Sequence, residues 1–455
     1  MRRAFRGKLL TPLGSEERSA SKAPRDPGSP SSAEPLLYLP DGLLIVDDAG
    51  LIAAVEPYEQ VAGGKPSSVG SAPVLDLHPC VLLPGFIDTH IHFPQTRIIG
   101  SATGPLLRWL EATVFPEEAR FRDEAYAQTV AREFTSRLLA AGTTTAGIFS
   151  SSSPRATDLM FEELARAGIR AIAGLTLMDQ ACPEALRVER SEALGACEDL
   201  IARWHGAQRG RLSFAITPRF ALSCSRELME GAARLAADHG LFIQTHISEN
   251  THEGEETLRV HPYGGDYLGV YEATGLLTSR TLLAHAVHLS PSEWDRVAQR
   301  GARIAHCPDS NFFLGSGRMP LREARARGIE VGLGSDVAGG RTFDMRRIMA
   351  SAYDNALCLG DALAPQELLT MATLGGARAL GLERVTGSLE IGKQADFIAV
   401  ELPDGIEGET EVLGHLAFAS ESRRMRRIFV QGEPLELGVS SEYPIGETRR
   451  RPRSA

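Results

Sequence analysis

Short apolar runs that end in polar residues, separated by longer amphipathic stretches, place the middle of this 455-residue chain in the α/β class. Strand-and-turn texture at both ends predicts a small β domain built from the two terminal segments. A third observation joins fold to chemistry: the residues closing the apolar runs are metal-ligand types, above all His90 and His92 in PGFIDTHIH.

Taken in order, AFRGKLLTPL near the N-terminus reads as a strand. Residues 14–35 are rich in Ser, Pro, Gly and charge, too poor in apolar residues to pack, and are expected to form a flexible insertion. YLPDGLLIVDDAGLIAAVEP follows with two Asp/Gly-type breaks, as a small antiparallel sheet would show. From residue 80 eight strand candidates appear: VLLPGFIDTHIH, AGTTTAGIFS, IRAIAGLTLMD, LSFAITPRF, LFIQTHISEN, TLLAHAVHL, ARIAHCPDSN and VGLGSDVAGG. Between them lie helical patterns such as SRELMEGAARLAADHG and SPSEWDRVAQRG, each closing at a glycine that suits a helix stop. Eight such units over residues 80–384 predict a TIM (β/α)8 barrel, whose usual length is about 250 residues. GSLEIGKQADFIAVELP and MRRIFVQGEPL return to strand texture. Residues 385–440 are therefore expected to join residues 1–79 in a small β-sandwich, with 441–455 as a basic tail.

Composition narrows the chemistry. With 43% hydrophobic and 23% charged residues the chain reads as an ordinary globular protein, and a net charge of −10 argues against a nucleic-acid-binding body. The six cysteines form no C-x-x-C pair and are expected to be free thiols in a reducing compartment. No apolar run approaches the roughly 20 residues of a membrane span. With no secretory hydrophobic region at the N-terminus, a cytoplasmic location is expected. No lysine lies between Lys65 and Lys393, which excludes a central Schiff base, a P-loop lysine or a carbamylated lysine bridging two metals.

On a strand, residues two apart share a face, so His90 and His92 can bind one ion. Further apolar runs end at His246, His285 and Asp336. A barrel gathers strand C-termini on one face, where its active sites lie. His90, His92, His246 and Asp336 are the candidate ligands, with His285 either a fourth imidazole ligand or a group behind the ligands. Zinc suits a mixed His/Asp set with an open water position, and iron, manganese or cobalt would accept it too. Glu249, three residues after His246, is the candidate proton carrier; its bland alternative is an exposed carboxylate at a helix start. Asp336 can hold metal through one oxygen and take a proton from water through the other. The H-x-E with P-C-x-x-C signature of the other zinc deaminases is absent.

PGFIDTHIH, THISEN, AHxxHL, AHCPxSN and GSDVAGG, in that order, resemble the amidohydrolase superfamily in its mononuclear metal-dependent deaminase branch. Gln95, PLLRWLEATVFPEEARF, ITPRFALSC and TLGGARALGL extend the resemblance to the guanine deaminase family within it. That resemblance implies hydrolysis of guanine to xanthine and ammonia in purine metabolism, and a homodimer. It implies zinc on His90, His92, His246 and Asp336, a proton shuttle at Glu249, and His285 orienting the attacking water. Arg219 and Gln95 would meet the purine's oxygen and ring nitrogens, and Phe220 its flat face. Without the motif, Arg219 reads as a salt bridge and Phe220 as core. Ser335 stands where threonine is common, and Asp309 fills a variable position. Two alternatives stay open: a related hydrolase of another aminated or halogenated azine, and a catalytically silent scaffold.

Overall fold

A computed structural model describes residues 2–14, 35–58, 72–101, 104–419 and 424–436. The insertion and the basic tail expected from the sequence lie outside the described residues, apart from Gly14 and Pro35.

The strands are, in chain order, β1 (Arg3–Pro12), β2 (Leu36–Val46), β3 (Ile52–Pro57), β4 (Val74–Pro84), β5 (Phe86–His92), β6 (Thr143–Phe149), β7 (Arg170–Gly174) and the two-residue β8 (Thr176–Leu177). They continue as β9 (Leu212–Pro218), β10 (Phe242–Ile247), β11 (Thr281–His285), β12 (Arg303–His306), β13 (Val331–Leu333), β14 (Phe397–Glu401), β15 (Arg424–Val430) and β16 (Glu433–Leu435). Strands β5, β6, β7, β9, β10, β11, β12 and β13 lie side by side in that order and pair in parallel, with β8 adding a short pairing to β9. This is the predicted barrel. Between β13 and β5 the wall is closed by Thr89 Oγ1 donating to the Leu333 carbonyl (2.9 Å), the Ser335 N–H to Asp88 Oδ1 (2.9 Å) and the Asp336 N–H to the His90 carbonyl (2.8 Å).

The terminal segments share one seven-stranded sheet in the order β16-β15-β14-β4-β1-β2-β3. Its interior face packs Phe5, Leu9, Leu44, Leu82, Phe397 and Phe429 together, with the Phe5 ring edge-on to Phe397 and Phe429 at 5.0 and 4.9 Å. Two local readings of the sequence change. VLLPGFIDTHIH is two strands: β4 pairs with β14 from Pro84 opposite Phe397 to Val81 opposite Val400, and the chain enters the barrel only after Gly85. A Cβ at Gly85 would sit 2.0 Å from Thr144 Oγ1, so the crossing between sheets requires glycine. The PDG at 40–42 does not break its strand but lies inside β2, where the register against β1 shifts between Gly7 and Leu9. A proline with no N–H to give is tolerated at such an irregularity.

Helices fill the outer layer as their patterns predict. Ser225 caps the helix Arg226–His239 by accepting from the Leu228 N–H at 3.1 Å, and Gly240 ends it at φ 61°. Such a cap contributes about 1 kcal/mol. All six cysteines are free. Among the described residues, no helix is long and apolar enough to cross a membrane.

Candidate active site and metal centre

β5 delivers two imidazoles to the mouth of the barrel because His90 and His92 sit two apart on a fully buried strand. β10 delivers His246, β11 ends on His285, and Asp336 lies three residues beyond β13. His285 and Asp336 hold left-handed backbone angles, φ 72° and 49°, as does Ser248 before Glu249 at φ 46°. Non-glycine residues rarely adopt these angles, and at functional sites they mark side chains held by their surroundings. Here the bond from the Asp336 N–H to the His90 carbonyl is one such restraint.

One ligand atom from each of His90, His92, His246 and Asp336 falls within a cluster no wider than 4.8 Å. His90 Nε2 and His92 Nε2 both lie 3.3 Å from Asp336 Oδ1, and His92 Nε2 lies 3.1 Å from His246 Nε2. His246 Nδ1 donates to the Arg219 carbonyl at 2.6 Å, which turns the lone pair of its other nitrogen into the cluster. His90 is fully buried, yet neither of its ring nitrogens has a hydrogen-bond partner. Converging lone pairs beside a carboxylate, with buried nitrogens unsatisfied, fit a divalent cation.

Burial lowers the His90 imidazole to about 4, and it lowers His92 and, further, His246, so all three are neutral and ready to ligate. Burial alone would raise the Asp336 carboxyl, but its contacts with His90 and His92 hold it well below the usual carboxylate range. Glu249 is buried, not the exposed carboxylate of the bland reading, and burial pushes it up to about 7. Asn250, not Glu249, caps the following helix. Glu249 Oε1 accepts from Ser316 Oγ at 3.1 Å, while Oε2 lies 3.5 Å from His285 Nε2. His285 Nδ1 faces Asn311 Oδ1 at 2.9 Å, and Nε2 lies 3.8 Å from Asp336 Oδ2. Burial pulls the His285 imidazole down, but Glu249 and Asp336 outweigh it and raise its pKa. His285 is not among the four clustered ligands; it sits between the candidate proton carrier and the carboxylate.

His92, His246, Glu249, His285 and Asp336 open onto a cavity lined also by Gln95, Leu106, Trp109, Leu110, Arg219, Phe220, Glu253 and Leu314. Arg219 is positioned from both sides of its backbone: its N–H donates to the Leu177 carbonyl of β8 at 3.2 Å, and its carbonyl holds His246. The apolar wall comes from residues 106–119, where an α-helical turn widens into a π turn over Leu110–Val114 and returns to α at Phe115. Pro116 has no N–H with which to continue an α-helical ladder, and the Phe115 N–H reaches Leu110 instead.

Several groups escaped the sequence reading. Glu118 accepts from Arg219 Nη1 at 2.6 Å and from Gln95 Nε2 at 3.2 Å. Asp88 accepts from the backbone N–H groups of Ser335 and His90, and burial pushes its carboxyl up to about 7. Asn311 and Ser316 support His285 and Glu249. Asn311 was visible inside AHCPDSN, but a motif position carries no partner. Asp309, in the same motif, pairs with Arg341.

A barrel with this donor set at its strand ends defines a metal-dependent hydrolase, and the amidohydrolase family pattern matches residues 81–435. The chain belongs to the amidohydrolase family. It is 40% identical over 411 residues to a probable guanine deaminase of Deinococcus radiodurans, which covers 89% of this chain and 92% of that protein. The structure is similar to E. coli guanine deaminase, with a TM-score of 0.86 at 33% identity over 96% of this chain and 99% of that one. It is also similar to guanine deaminase from C. acetobutylicum with guanine bound, with a TM-score of 0.85 at 28% identity over 96% and 100% of the two chains.

Proposed function

We propose that this chain is a guanine deaminase, converting guanine and water to xanthine and ammonia. The observation that carries the reading is the joint placement of Gln95, Arg219 and Phe220 in the same cavity as Glu249, His285 and three of the four clustered ligands, His92, His246 and Asp336. The likeness to guanine deaminases over most of the chain supports it.

His90, His92, His246 and Asp336 are the residues that would hold a divalent ion, with zinc as the proposed metal because neutral imidazoles and one carboxylate match its preferences. Such an ion lowers the pKa of bound water from 15.7 to about 7. Phe220 and the wall of Leu106, Trp109 and Leu110 take the flat faces of the base and exclude water. Arg219 and Gln95 donate to the purine's oxygen and ring nitrogens. Water adds at the ring carbon that bears the amino group, forming a C–O bond and moving electron density onto the adjacent ring nitrogen. Glu249, held near 7 and so able both to take and to give a proton at neutral pH, carries one from the water to that nitrogen. It then delivers the second proton to the amine, the C–N bond breaks, and ammonia leaves. Asp336 Oδ2 and His285 Nε2, 3.8 Å apart, fix the direction from which water attacks. The resemblance to the guanine deaminase family is what supports a homodimer, and the scattered free cysteines are what support a cytoplasmic location.

Ammonia release from guanine by the purified protein tests the reading, with adenine and cytosine as controls. Guanine alone should react, and Glu249→Gln should lower kcat about 10²- to 10⁴-fold while metal content is unchanged. No release from metal-replete protein overturns the assignment of guanine.

A further inference from the structure

We propose that Glu118 sets the charge of the donor edge of the substrate pocket: its buried carboxylate neutralises Arg219 and fixes the polarity of Gln95, so that this edge takes an uncharged purine and disfavours an anionic one. The proposal rests on the guanine reading and adds a residue that touches no substrate. Glu118 is a positioning residue acting through Arg219 and Gln95.

Geometry carries it. The side chain of Glu118 is wholly buried and that of Arg219 is 4% exposed, so neither charge is relieved by water. Glu118 Oε2 accepts from Arg219 Nη1 at 2.6 Å, and Oε1 accepts from Gln95 Nε2 at 3.2 Å. On its other side Gln95 Oε1 accepts from the Ala338 N–H at 3.0 Å. An ionised carboxylate only accepts and a backbone N–H only donates, so a flip of the Gln95 amide would break both contacts at once. Gln95 therefore has an N–H left to offer, and Arg219 keeps donors beyond the one given to Glu118.

The result is a polar edge made of donors with no net charge. A carbonyl oxygen and an unprotonated ring nitrogen match such an edge. Without Glu118 the same donors would carry an uncompensated cation in a water-poor site, where charge selects for anions. Arg219 also holds His246 through its carbonyl, so that cation would stand close to the ion-binding cluster as well. The helix Phe115–Ala119, brought to this depth behind the π turn, supplies the counter-charge 101 residues before Arg219.

The test compares inhibition of guanine turnover by urate, a purine anion, and by hypoxanthine, an uncharged purine, with metal content measured alongside. In the wild type hypoxanthine should bind better. Glu118→Gln should lower kcat/KM for guanine about 10²-fold, mainly through KM. It should also shift the inhibitor ratio towards urate by about tenfold or more, whereas Glu118→Asp, which keeps the charge, should retain the wild-type ratio. If Glu118→Gln does not fold, Arg219→Gln reads the balance from the other side: the carboxylate is left unopposed, and urate should inhibit less than in the wild type. An unchanged ratio in whichever of these two variants folds overturns the proposal. Wild-type protein that turns over no guanine sinks the guanine reading instead, and direct binding of urate and hypoxanthine then tests the charge balance by the same ratio.

Discussion

Two buried charged clusters sit at opposite ends of the barrel, and they are finished to different degrees. Where β7 begins, Arg170 donates to Asp396 Oδ2 at 3.0 and 2.9 Å and also to Gln394, while Asp396 Oδ1 accepts from the Gln431 N–H at 2.8 Å. No buried polar atom of that pair lacks a partner. At the other end, both ring nitrogens of His90, Nε2 of His285 and Oδ2 of Asp88 have none. A charged pair that satisfies itself fastens the terminal sheet to the barrel; a cluster of lone pairs left open around a carboxylate is arranged to take a cation.

The largest effect should come from emptying or dismantling the unfinished cluster. His246→Ala, or dialysis of the wild type against a chelator, should abolish ammonia release, with metal content falling in parallel. Adding zinc back should restore the dialysed wild type and not the variant. Retention of full activity at negligible metal content would break the comparison outright. Next in size is the finished cluster: Asp396→Ala should cost about 3–5 kcal/mol in urea unfolding by stranding the Arg170 cation. Replacing both partners by apolar residues should cost much less. In either variant the folded fraction should still bind metal, because the two clusters share no residue. The smallest effect belongs to Asn311→Ala, which frees His285 to turn and should reduce kcat/KM about 10- to 100-fold, as loss of a supporting partner does. Metal content there should stay at the wild-type level, separating orientation from ligation.

Much of the unfinished cluster was legible because it obeys a rule with local signs: an apolar run, then a metal-ligand residue, at the C-terminal end of a barrel strand. His90, His92 and His246 lie within such strands. The rule alone does not choose among strand ends. His306 also closes a strand and its two buried ring nitrogens are unpartnered like those of His90, yet it is not among the four clustered ligand residues; burial lowers it to about 3. Asp336 was legible by the same rule, at the end of the run VGLGSD, although its strand is only three residues long and Asp336 lies beyond it, its N–H donating to the His90 carbonyl across the seam. What stayed hidden was pairing over distance. Arg219 read equally as salt bridge or substrate donor; it makes the salt bridge and lines the cavity. Nothing in FPEEARF distinguishes Glu118 from Glu117, whose carboxylate goes instead to Arg120 and Tyr126. The misplaced strand boundary at Gly85 has the same origin, since β4 and β5 read as one apolar run and only their different neighbours separate them.

The order of the terminal sheet has a consequence for how the chain is made. β1 to β4 can pair as soon as they are synthesised, but the other edge of β4 waits for β14. More than 300 residues separate Pro84 from Phe397, and at 5–20 residues per second that wait is roughly 15–60 s. Throughout it Val81, Leu82 and Leu83, wholly buried in the finished fold, lie on an unpaired edge, the kind of template on which chains aggregate. A truncation just beyond the barrel would remove no ligand and no pocket residue, yet it would make that temporary edge permanent. The last strands thus cover the edge of β4 as well as completing the sheet.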